Sequence, residues 1–299
     1  MQQAVGFQRW RELLFLHWAM PPGALRPLVP AALELDLFEG AAWVTLIPFE
    51  IVESRPPGFP GALADRFLEV NLRTYVRGPG GEPGIYFWSL EASSLLAVVG
   101  ARLLYGLPYF PARMSMRRAG THVEYTSRRR IGGWAELRLG WTVAEAIGTA
   151  RPGTLDHFLI ERYALYAARM RGLYRARVRH PPYPLHRASI DHLSETLLAA
   201  AGIAAPTEPR IDSLLAGRRR RHLPAEACRN WRVKGLERVE TGEARRTSRD
   251  SGPGGRRPGA RLFLRGDIER AGGTACLECG RGRDERPSGG AEEAAPRDG

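Results

Sequence analysis

Residues Phe67–Arg77 read FLEVNLRTYVR, which has the alternation of a β-strand. The odd-numbered positions from residue 69 onward carry Glu, Asn, Arg and Tyr, whereas the even-numbered positions carry Leu, Val and Thr, which is the two-residue period of a β-strand. A glycine-rich turn at Gly78–Gly81 follows, and Gly84–Leu90 (GIYFWSL) is again apolar and aromatic. The segment therefore predicts an antiparallel hairpin with a longer loop.

More short strand-like runs separated by Gly and Pro surround this hairpin. One is Ala41–Ile51 (AAWVTLIPFEI), which the turn residues of Arg55–Gly58 close. Further candidates follow it, at His122–Thr126, Ala135–Leu139 and Trp141–Val143. Many short strands with frequent turn signals favour an all-β barrel or sandwich.

Three segments show the apolar spacing of helices. Leu90–Tyr105 is one, and Thr154–Arg169 is a stronger one, with Thr154 placed as an N-cap. Ser189–Ala201 is the third, with acidic residues early, where they suit the helix dipole. These segments predict two or three helices beside the sheet.

Composition limits the class of protein. The chain has 299 residues, 43% of them hydrophobic, which allows a sizeable core. It contains no uncharged apolar run of about 18 residues and no secretory signal, so we expect a cytoplasmic protein without a membrane partner. The net charge of +12 includes clusters such as Arg128–Arg130, which we interpret as solvated surface, so nucleic acid is not expected as a partner.

Longer motifs carry a resemblance to a known family. LLFLHWAMPPGALRPLVPAALELDLFEGAAWVTLIPF at Leu13–Phe49, LEVNLRTYVR at Leu68–Arg77, VVGARLLYGLPYFPARM at Val98–Met114 and YRARVRHPPYPL at Tyr174–Leu185 resemble the bacterial YqjF-like family. That family is distantly similar to acetoacetate decarboxylase. The resemblance implies an α+β, mainly antiparallel fold, a cone barrel with an interior pocket and two or three flanking helices.

The resemblance also limits the chemistry. The decarboxylase forms a Schiff base through one of two adjacent lysines. The matching positions here are Tyr109 and Phe110, neither of which forms an imine, and the single lysine of the chain, Lys234, lies outside the resembling region. The active-site glutamate of the enzyme matches Glu69. Schiff-base decarboxylation is therefore excluded as the expected activity.

Glu69, Asn71 and Arg73 are the candidate site residues on the hairpin. If their face points into the barrel, successive members offer a carboxylate, an amide and a cation about 7 Å apart. Such a trio would bind a small carboxylate or carbonyl compound, with Glu69 as acid or base. The alternatives are an outward face with an ordinary ion pair, or a buried structural network.

Other polar and aromatic residues complete the candidate pocket. His17 and Trp18 lie just before a helix start, and Tyr109 and Arg113 lie around the Pro108 turn. Each of them also has a structural interpretation, as a core or surface residue. No histidine has a partner at metal-ligand spacing, and Cys276-Leu-Glu-Cys279 is a lone pair, so we expect neither a metal nor a cofactor.

The C-terminal third loses its pattern, so the sequence predicts a barrel domain at 1–208 and a disordered basic tail at 209–299. One permitted codon choice for Asp212–His222, read one base later, encodes Ile-His-Tyr-Ser-Pro-Gly-Val-Asp-Val-Asp. That peptide resembles the final strand of the family. We hypothesise a one-base frame change near residue 210, which would leave the barrel without its closing strand.

The functional expectation is a barrel pocket for a small carboxylate or carbonyl compound. Turnover, if there is any, would be non-imine lyase or hydrolase chemistry. The alternatives left open are a non-catalytic ligand-binding or interaction module and nucleic-acid binding through the basic tail. Self-association into a homo-oligomer is left open as well.

Overall fold

The computed structural model describes residues 4–56, 58, 60, 64–169, 172–204, 210–216, 229–234 and 237–239. Within these residues the strands are β1 Ala4–Arg11, β2 Leu13–Met20, β3 Glu34–Leu35, β4 Ala42–Arg55, β5 Asp65–Arg77, β6 Pro83–Ala92, β7 Tyr109–Ala119, β8 His122–Arg129, β9 Glu136–Gly148, β10 Ala164–Arg169, β11 Gly172–Arg179, β12 Leu185–Glu195, β13 Arg210–Ala216, β14 Arg229–Lys234 and β15 Glu237–Val239. The α-helices described are α1 Pro22–Leu25, α2 Leu95–Tyr105, α3 Leu155–Ile160 and α4 Leu197–Ala200.

The strands form two closed rings that share β4, β5 and β6. One ring runs β6-β7-β8-β9-β12-β13-β2-β4-β5, and it closes because β5 pairs with β6. The other runs β1-β14-β11-β10-β6-β5-β4, and it closes because β1 pairs with β4. Among the described pairings only β6–β7 and β6–β10 are parallel. The prediction of a mainly antiparallel α+β fold is confirmed.

Because β4, β5 and β6 belong to both rings, they are buried on both faces. β4 is buried without interruption from Ala42 to Ile51. Along β5, Phe67 and Tyr75 pack in one hydrophobic cluster, whereas Val70 and Leu72 pack in another. Successive side chains of a strand point to opposite faces, so each shared strand contributes to both ring interiors.

The hairpin predicted at the centre of the fold is confirmed. β5 pairs antiparallel with β6, with Arg77 opposite Pro83 at the turn. Gly84 allows the aromatic ring of Tyr166 on β10 to lie directly against the hairpin, since a Cβ at Gly84 would lie 2.7 Å from Tyr166 Cε2 and 2.8 Å from the Ala164 carbonyl oxygen.

The helix predicted at Thr154–Arg169 is only partly correct. Thr154 is the N-cap as predicted, and its Oγ1 accepts a hydrogen bond from the His157 amide at 3.3 Å. However, the helix ends at Ile160, and Ala164–Arg169 is a strand between β6 and β11. Ala164–Ala167 are all buried, so pairing on both sides outweighs the helical spacing of the apolar residues.

The helix predicted at Ser189–Ala201 is wrong over most of its length. Leu185–Glu195 is instead strand β12, which pairs with β9, and only Leu197–Ala200 is helical. The β12–β9 register shifts at three places, between Leu185 and Ala188 and again after Ile190. Each bulge interrupts the alternation of side chains, which removes the two-residue period that signals a strand.

The helix predicted at Leu90–Tyr105 begins later than expected. Leu90 belongs to β6, which ends at Ala92. The Ser94 side chain caps α2 by accepting a hydrogen bond from the Ala97 amide at 3.2 Å. Gly106 ends α2 at φ 60°, in the left-handed region that a residue with a Cβ seldom adopts.

Three strands lie in the segment predicted to be a disordered tail. β13 pairs with β12 and β2, which is the place where the frame-change hypothesis expected an open edge. β14 pairs with β1 and β11, and β15 pairs with β11. The remaining tail residues, including the C-x-x-C pair, lie outside the described residues, so the domain boundary at 208 and the frame change stay predictions. No described helix is long and apolar enough to cross a bilayer.

Candidate functional site

A cavity of about 370 Å³ lies within the ring that contains β1, β10 and β11. Most of its lining is aliphatic or aromatic, with Phe15, Phe67, Ile85 and Leu165 among the residues. Helix α2 borders it on one side. A mostly apolar pocket with a few polar groups is the usual form of a small-molecule site.

Glu69, Asn71 and Arg73 supply three of those polar groups. All three line the cavity, and all three are buried, at 2%, 3% and 6% exposure. They share a face because they alternate along β5. The structure therefore brings together the trio that the sequence singled out.

Burial dominates the electrostatics of Glu69. Removal from water raises the pKa of this carboxyl to about 8, although hydrogen bonds from Tyr109 and Asn71 oppose the shift. The nearby Glu91 carboxylate raises the pKa slightly further. At pH 7 the group is mostly protonated, so it is able to donate a hydrogen bond or a proton.

Tyr109 is the direct partner of Glu69. Its hydroxyl donates to Glu69 Oε2 at 3.0 Å, from the start of β7. Burial, with the neighbouring Glu69 charge, raises the Tyr109 pKa well above its ordinary value, so the phenol keeps its proton. Asn71 leaves its Oδ1 atom buried without a hydrogen bond to any described residue.

Arg73 occupies an unusual position for a cation. Its Nη2 donates to the Leu159 carbonyl oxygen at 2.8 Å, and its guanidinium carbon lies 5.9 Å from the Phe15 ring centroid and 5.5 Å from that of Tyr75. Within the described part of the chain it forms no ion pair, and its Nε atom has no hydrogen-bond acceptor. Backbone and ring contacts offset only part of the desolvation of a guanidinium.

Two residues predicted to line the pocket do not do so. Trp18 packs in the hydrophobic cluster of the other ring, because it follows His17 by one residue and points to the opposite face of β2. Arg113 is exposed, because β7 extends beyond the end of β6 after Pro111 and pairs only with β8 there.

His17 is buried behind the lining rather than in it. Its Nδ1 lies 2.9 Å from Thr45 Oγ1, and its ring stacks at 6.1 Å on Phe15, which does line the cavity. Thr45 Oγ1 in turn lies 2.6 Å from the Tyr75 hydroxyl. The structural interpretation of this histidine, as a buried hydrogen-bonding residue, is the one that fits.

Two charged groups near the cavity had no sequence signal. Arg162 lines it and pairs through Nη1 at 2.7 Å with Asp36, which is 126 residues away in the chain. Glu91 pairs with Arg129 behind Glu69, in an ion pair whose side chains are 1% and 4% exposed. Because Glu91 and Arg129 are 38 residues apart, no short sequence pattern predicts that they form an ion pair.

The described residues contain no group of three or more His, Cys, Asp or Glu side chains arranged to hold a metal ion. The expectation of no cofactor stays a prediction.

The fold is shared with solved structures of acetoacetate-decarboxylase-like proteins. One such enzyme from Sphingomonas wittichii RW1 matches with a TM-score of 0.52 at 16% identity, over 80% of this chain and 94% of that one. The enduracididine biosynthesis enzyme MppR with bound HEPES matches with a TM-score of 0.55 at 13% identity, over 81% of this chain and 90% of that one. Acetoacetate decarboxylase from Legionella pneumophila matches with a TM-score of 0.52 at 13% identity, over 80% of this chain and 89% of that one. At these identities the likeness establishes an acetoacetate-decarboxylase-like fold.

Within that fold class the chain belongs to the DUF2071 family, described as an uncharacterized conserved protein, whose model matches residues 7–216. The chain is 39% identical over 227 residues to the uncharacterized protein YqjF of Bacillus subtilis (strain 168), covering 75% of this chain and 91% of that protein. The resemblance seen in the sequence is confirmed.

Proposed function

We propose that this protein binds a small organic carboxylate or carbonyl compound in the cavity, with Arg73 holding an anionic group and Glu69 contacting a carbonyl oxygen. The proposal rests chiefly on one observation. Arg73 is a buried, cavity-lining cation without an ion pair among the described residues. A bound carboxylate would supply the missing partner in a charge-assisted hydrogen bond.

The remaining lining supports a ligand with a short apolar body. Glu69 is mostly protonated at neutral pH and donates, whereas the free Oδ1 of Asn71 accepts. These polar points lie along one strand, and aliphatic and aromatic groups face them. A keto acid, a short fatty acid or a lactone matches this division of polar and apolar surface.

Chemistry through an imine is not part of the proposal. Tyr109 and Phe110 occupy the positions that resemble the reactive lysine pair, and Tyr109 is committed to a hydrogen bond with Glu69. The side chain of Lys234, at the end of β14, lies outside the described part of the structure. Turnover would use Glu69 as a general acid or base in lyase or hydrolase chemistry.

Calorimetric titration of the full-length protein with butyrate, 2-oxobutyrate, 2-pentanone and γ-butyrolactone tests the proposal. Arg73→Gln is expected to weaken binding of the two carboxylates by at least about tenfold, because it removes a hydrogen bond to a charged group, while binding of the ketone is little changed. Arg113→Gln, which removes an exposed arginine, is the matched control and is expected to bind all four compounds like the wild type.

The result that contradicts the proposal is equal carboxylate affinity in the wild type and Arg73→Gln, or binding of none of the four compounds. Proton NMR of the same mixtures separates an enzyme from a binding module. Consumption of a ligand by the wild type, lost in Glu69→Gln, would indicate turnover. Binding without consumption favours the non-catalytic alternative.

A further inference from the structure

The cavity follows β5 over much of the length of that strand. Phe67, Glu69, Asn71 and Arg73 are alternate residues of β5, and all four line the cavity. Six residues of an antiparallel strand rise about 20 Å. The cavity is therefore elongated along β5, and its polar groups are spread along it rather than gathered at one point.

The two ends of this polar row face different parts of the chain. Near Arg73 the lining comes from the end of α3 and the start of β10, through Ile160 and Ala164. Near Glu69 it comes from β7, where the Tyr109 hydroxyl donates to the Glu69 carboxyl at 3.0 Å. A molecule that contacts both charged side chains has to reach from one wall of the cavity to the other.

The guanidinium of Arg73 is turned away from Glu69. The Leu159 carbonyl oxygen accepts hydrogen bonds from Arg73 Nη2 and from the Tyr75 hydroxyl, each at 2.8 Å. Tyr75 lies two residues further along β5 than Arg73, on the side away from Glu69. Since Arg73 leans toward Tyr75, the spacing that β5 sets between positions 69 and 73 is kept between the two charged groups.

The electrostatics agree with this separation. Burial lowers the pKa of Arg162, and the nearby positive charge of Arg73 lowers it further. By contrast, Arg73 is not among the described groups that shift the pKa of Glu69. The Arg73 charge therefore acts at the Arg162 end of the cavity and not on the carboxyl of Glu69.

Apolar side chains flank the interval between the two ends. On the strands next to β5, Ile47 and Leu90 are the neighbours of Asn71, and Phe87 is opposite Arg73. All three of these apolar side chains line the cavity. A hydrocarbon segment is the part of a ligand that matches such walls.

The strand spacing sets the length of that segment. Four residues of β5 span about 13 Å, and a hydrogen bond at each end occupies about 3 Å, which leaves about 7 Å between the two ligand oxygens. An extended chain with bonds of about 1.5 Å advances about 1.3 Å per bond, so about five or six bonds fill this gap.

We infer that the ligand is a linear oxo acid whose ketone carbon lies about five or six carbon–carbon bonds from its carboxylate carbon, with the carboxylate at Arg73 and the ketone oxygen at Glu69. The inference rests on the proposed function and adds a length to it. A 2-oxo acid carries its ketone on the carbon next to the carboxylate, so it reaches only one of the two groups.

Calorimetric titration of the full-length protein with octanoate, 2-oxooctanoate and 7-oxooctanoate tests the length. The two oxo acids have the same composition and charge, so only the position of the ketone differs between them. We expect 7-oxooctanoate to bind at least about tenfold more tightly than either of the others, because it alone gains a hydrogen bond from Glu69 while its carboxylate is held by Arg73.

Variants assign this preference to its two ends. Glu69→Leu is expected to remove the preference for 7-oxooctanoate over octanoate, whereas Glu69→Gln, whose amide still donates, should keep most of it. Arg73→Gln should weaken binding of all three acids by a similar factor. Arg113→Gln, at an exposed position, is the matched control and should keep the wild-type preference.

Infrared spectroscopy of 7-oxooctanoate labelled with carbon-13 at the ketone gives a readout that a misfolded variant does not imitate. The ketone band should move to lower frequency on binding to the wild type and to Glu69→Gln, but not on binding to Glu69→Leu.

Three results would overturn the inference: equal affinity for the three acids, tighter binding of 2-oxooctanoate, or a preference for 7-oxooctanoate that survives Glu69→Leu. If Arg73→Gln still weakens binding in those cases, the proposed function stands without the length. Binding of none of the three acids would overturn both.

Discussion

The hydroxyl of Tyr109 lies 3.0 Å from Glu69 Oε2, where it donates a hydrogen bond to a carboxyl whose pKa burial raises to about 8. Tyr109 stands at a position that resembles the reactive lysine pair of acetoacetate decarboxylase. By this resemblance, a phenol that keeps its proton takes the place of an amine beside the glutamate. This replacement favours proton transfer and hydrogen bonding over nucleophilic attack.

Removal of this hydroxyl should raise the Glu69 pKa further. Tyr109→Phe takes away a hydrogen bond that favours the charged form of the carboxylate, so Glu69 becomes harder to ionise. Infrared titration of the carboxyl C=O band, with Glu69→Gln to assign it, measures the shift. Tyr105→Phe removes another hydroxyl from the cavity lining and should leave the band in place. A lower Glu69 pKa in Tyr109→Phe would contradict the assignment.

Glu69 should make the protein less stable as the pH rises from about 4.5 to about 8. The unfolded chain loses this proton near pH 4.5, whereas the folded chain keeps it until about pH 8, so the folded state binds more protons throughout that window. The contribution of the Glu69 carboxyl to the free energy of unfolding is therefore fully present below pH 4.5. It falls by a few kcal/mol in total as the pH rises to about 8.

Urea denaturation at several pH values measures this slope, which Glu69→Gln should flatten because the amide does not ionise. Glu145→Gln, a change in an exposed surface ion pair, should keep the wild-type slope. If Glu69→Gln and the wild type lose stability in parallel between pH 5 and pH 8, the buried carboxyl is not the source of the pH dependence of the unfolding free energy.

The buried pair of Glu91 and Arg129 should show strong coupling. Arg129→Met leaves a carboxylate buried without its cation, which costs about 3–5 kcal/mol of unfolding free energy. The double variant Glu91→Gln with Arg129→Met should recover most of that loss, since neither charge remains. Denaturant titrations of the two single variants and the double variant give the coupling energy. Additive losses would show that the two residues act independently.

Gly84→Ala should destabilise the junction of β6 and β10. The new Cβ would lie 2.8 Å from the Ala164 carbonyl oxygen, a backbone atom that cannot rotate away. We expect a loss of about 1–3 kcal/mol in unfolding free energy. Gly23→Ala is the matched control, since its Cβ meets no described atom within 4 Å and alanine favours the helix there. Equal thermal stability of the two variants would argue against the close approach.

Sequencing the gene across codons 205–222 tests the frame-change hypothesis. The hypothesis requires codons for Asp212–His222 that encode the family-like peptide one base later. Codons incompatible with that peptide would end it. If the codons allow it, restoring the frame should raise the melting temperature, because the strand between β12 and β2 would then carry the family-like sequence.

Local pattern was enough to predict the hairpin of β5 and β6, the shared face of Glu69, Asn71 and Arg73, and the family, because alternation and long motifs can be read within one stretch of chain. It could not decide which face of β5 looks onto the cavity. Both faces are buried, one in each ring, so polarity does not distinguish inside from outside.

The remaining features depend on tertiary contacts. Pairing on both sides turned the end of one predicted helix into β10, and bulges hid β12 from the two-residue period. The orientation of β2 directs Trp18 to the other ring, and β7 extends past the end of β6, which leaves Arg113 in solvent. Such outcomes depend on contacts between residues far apart in the chain, which compete with local propensity and leave no trace in a short window of sequence.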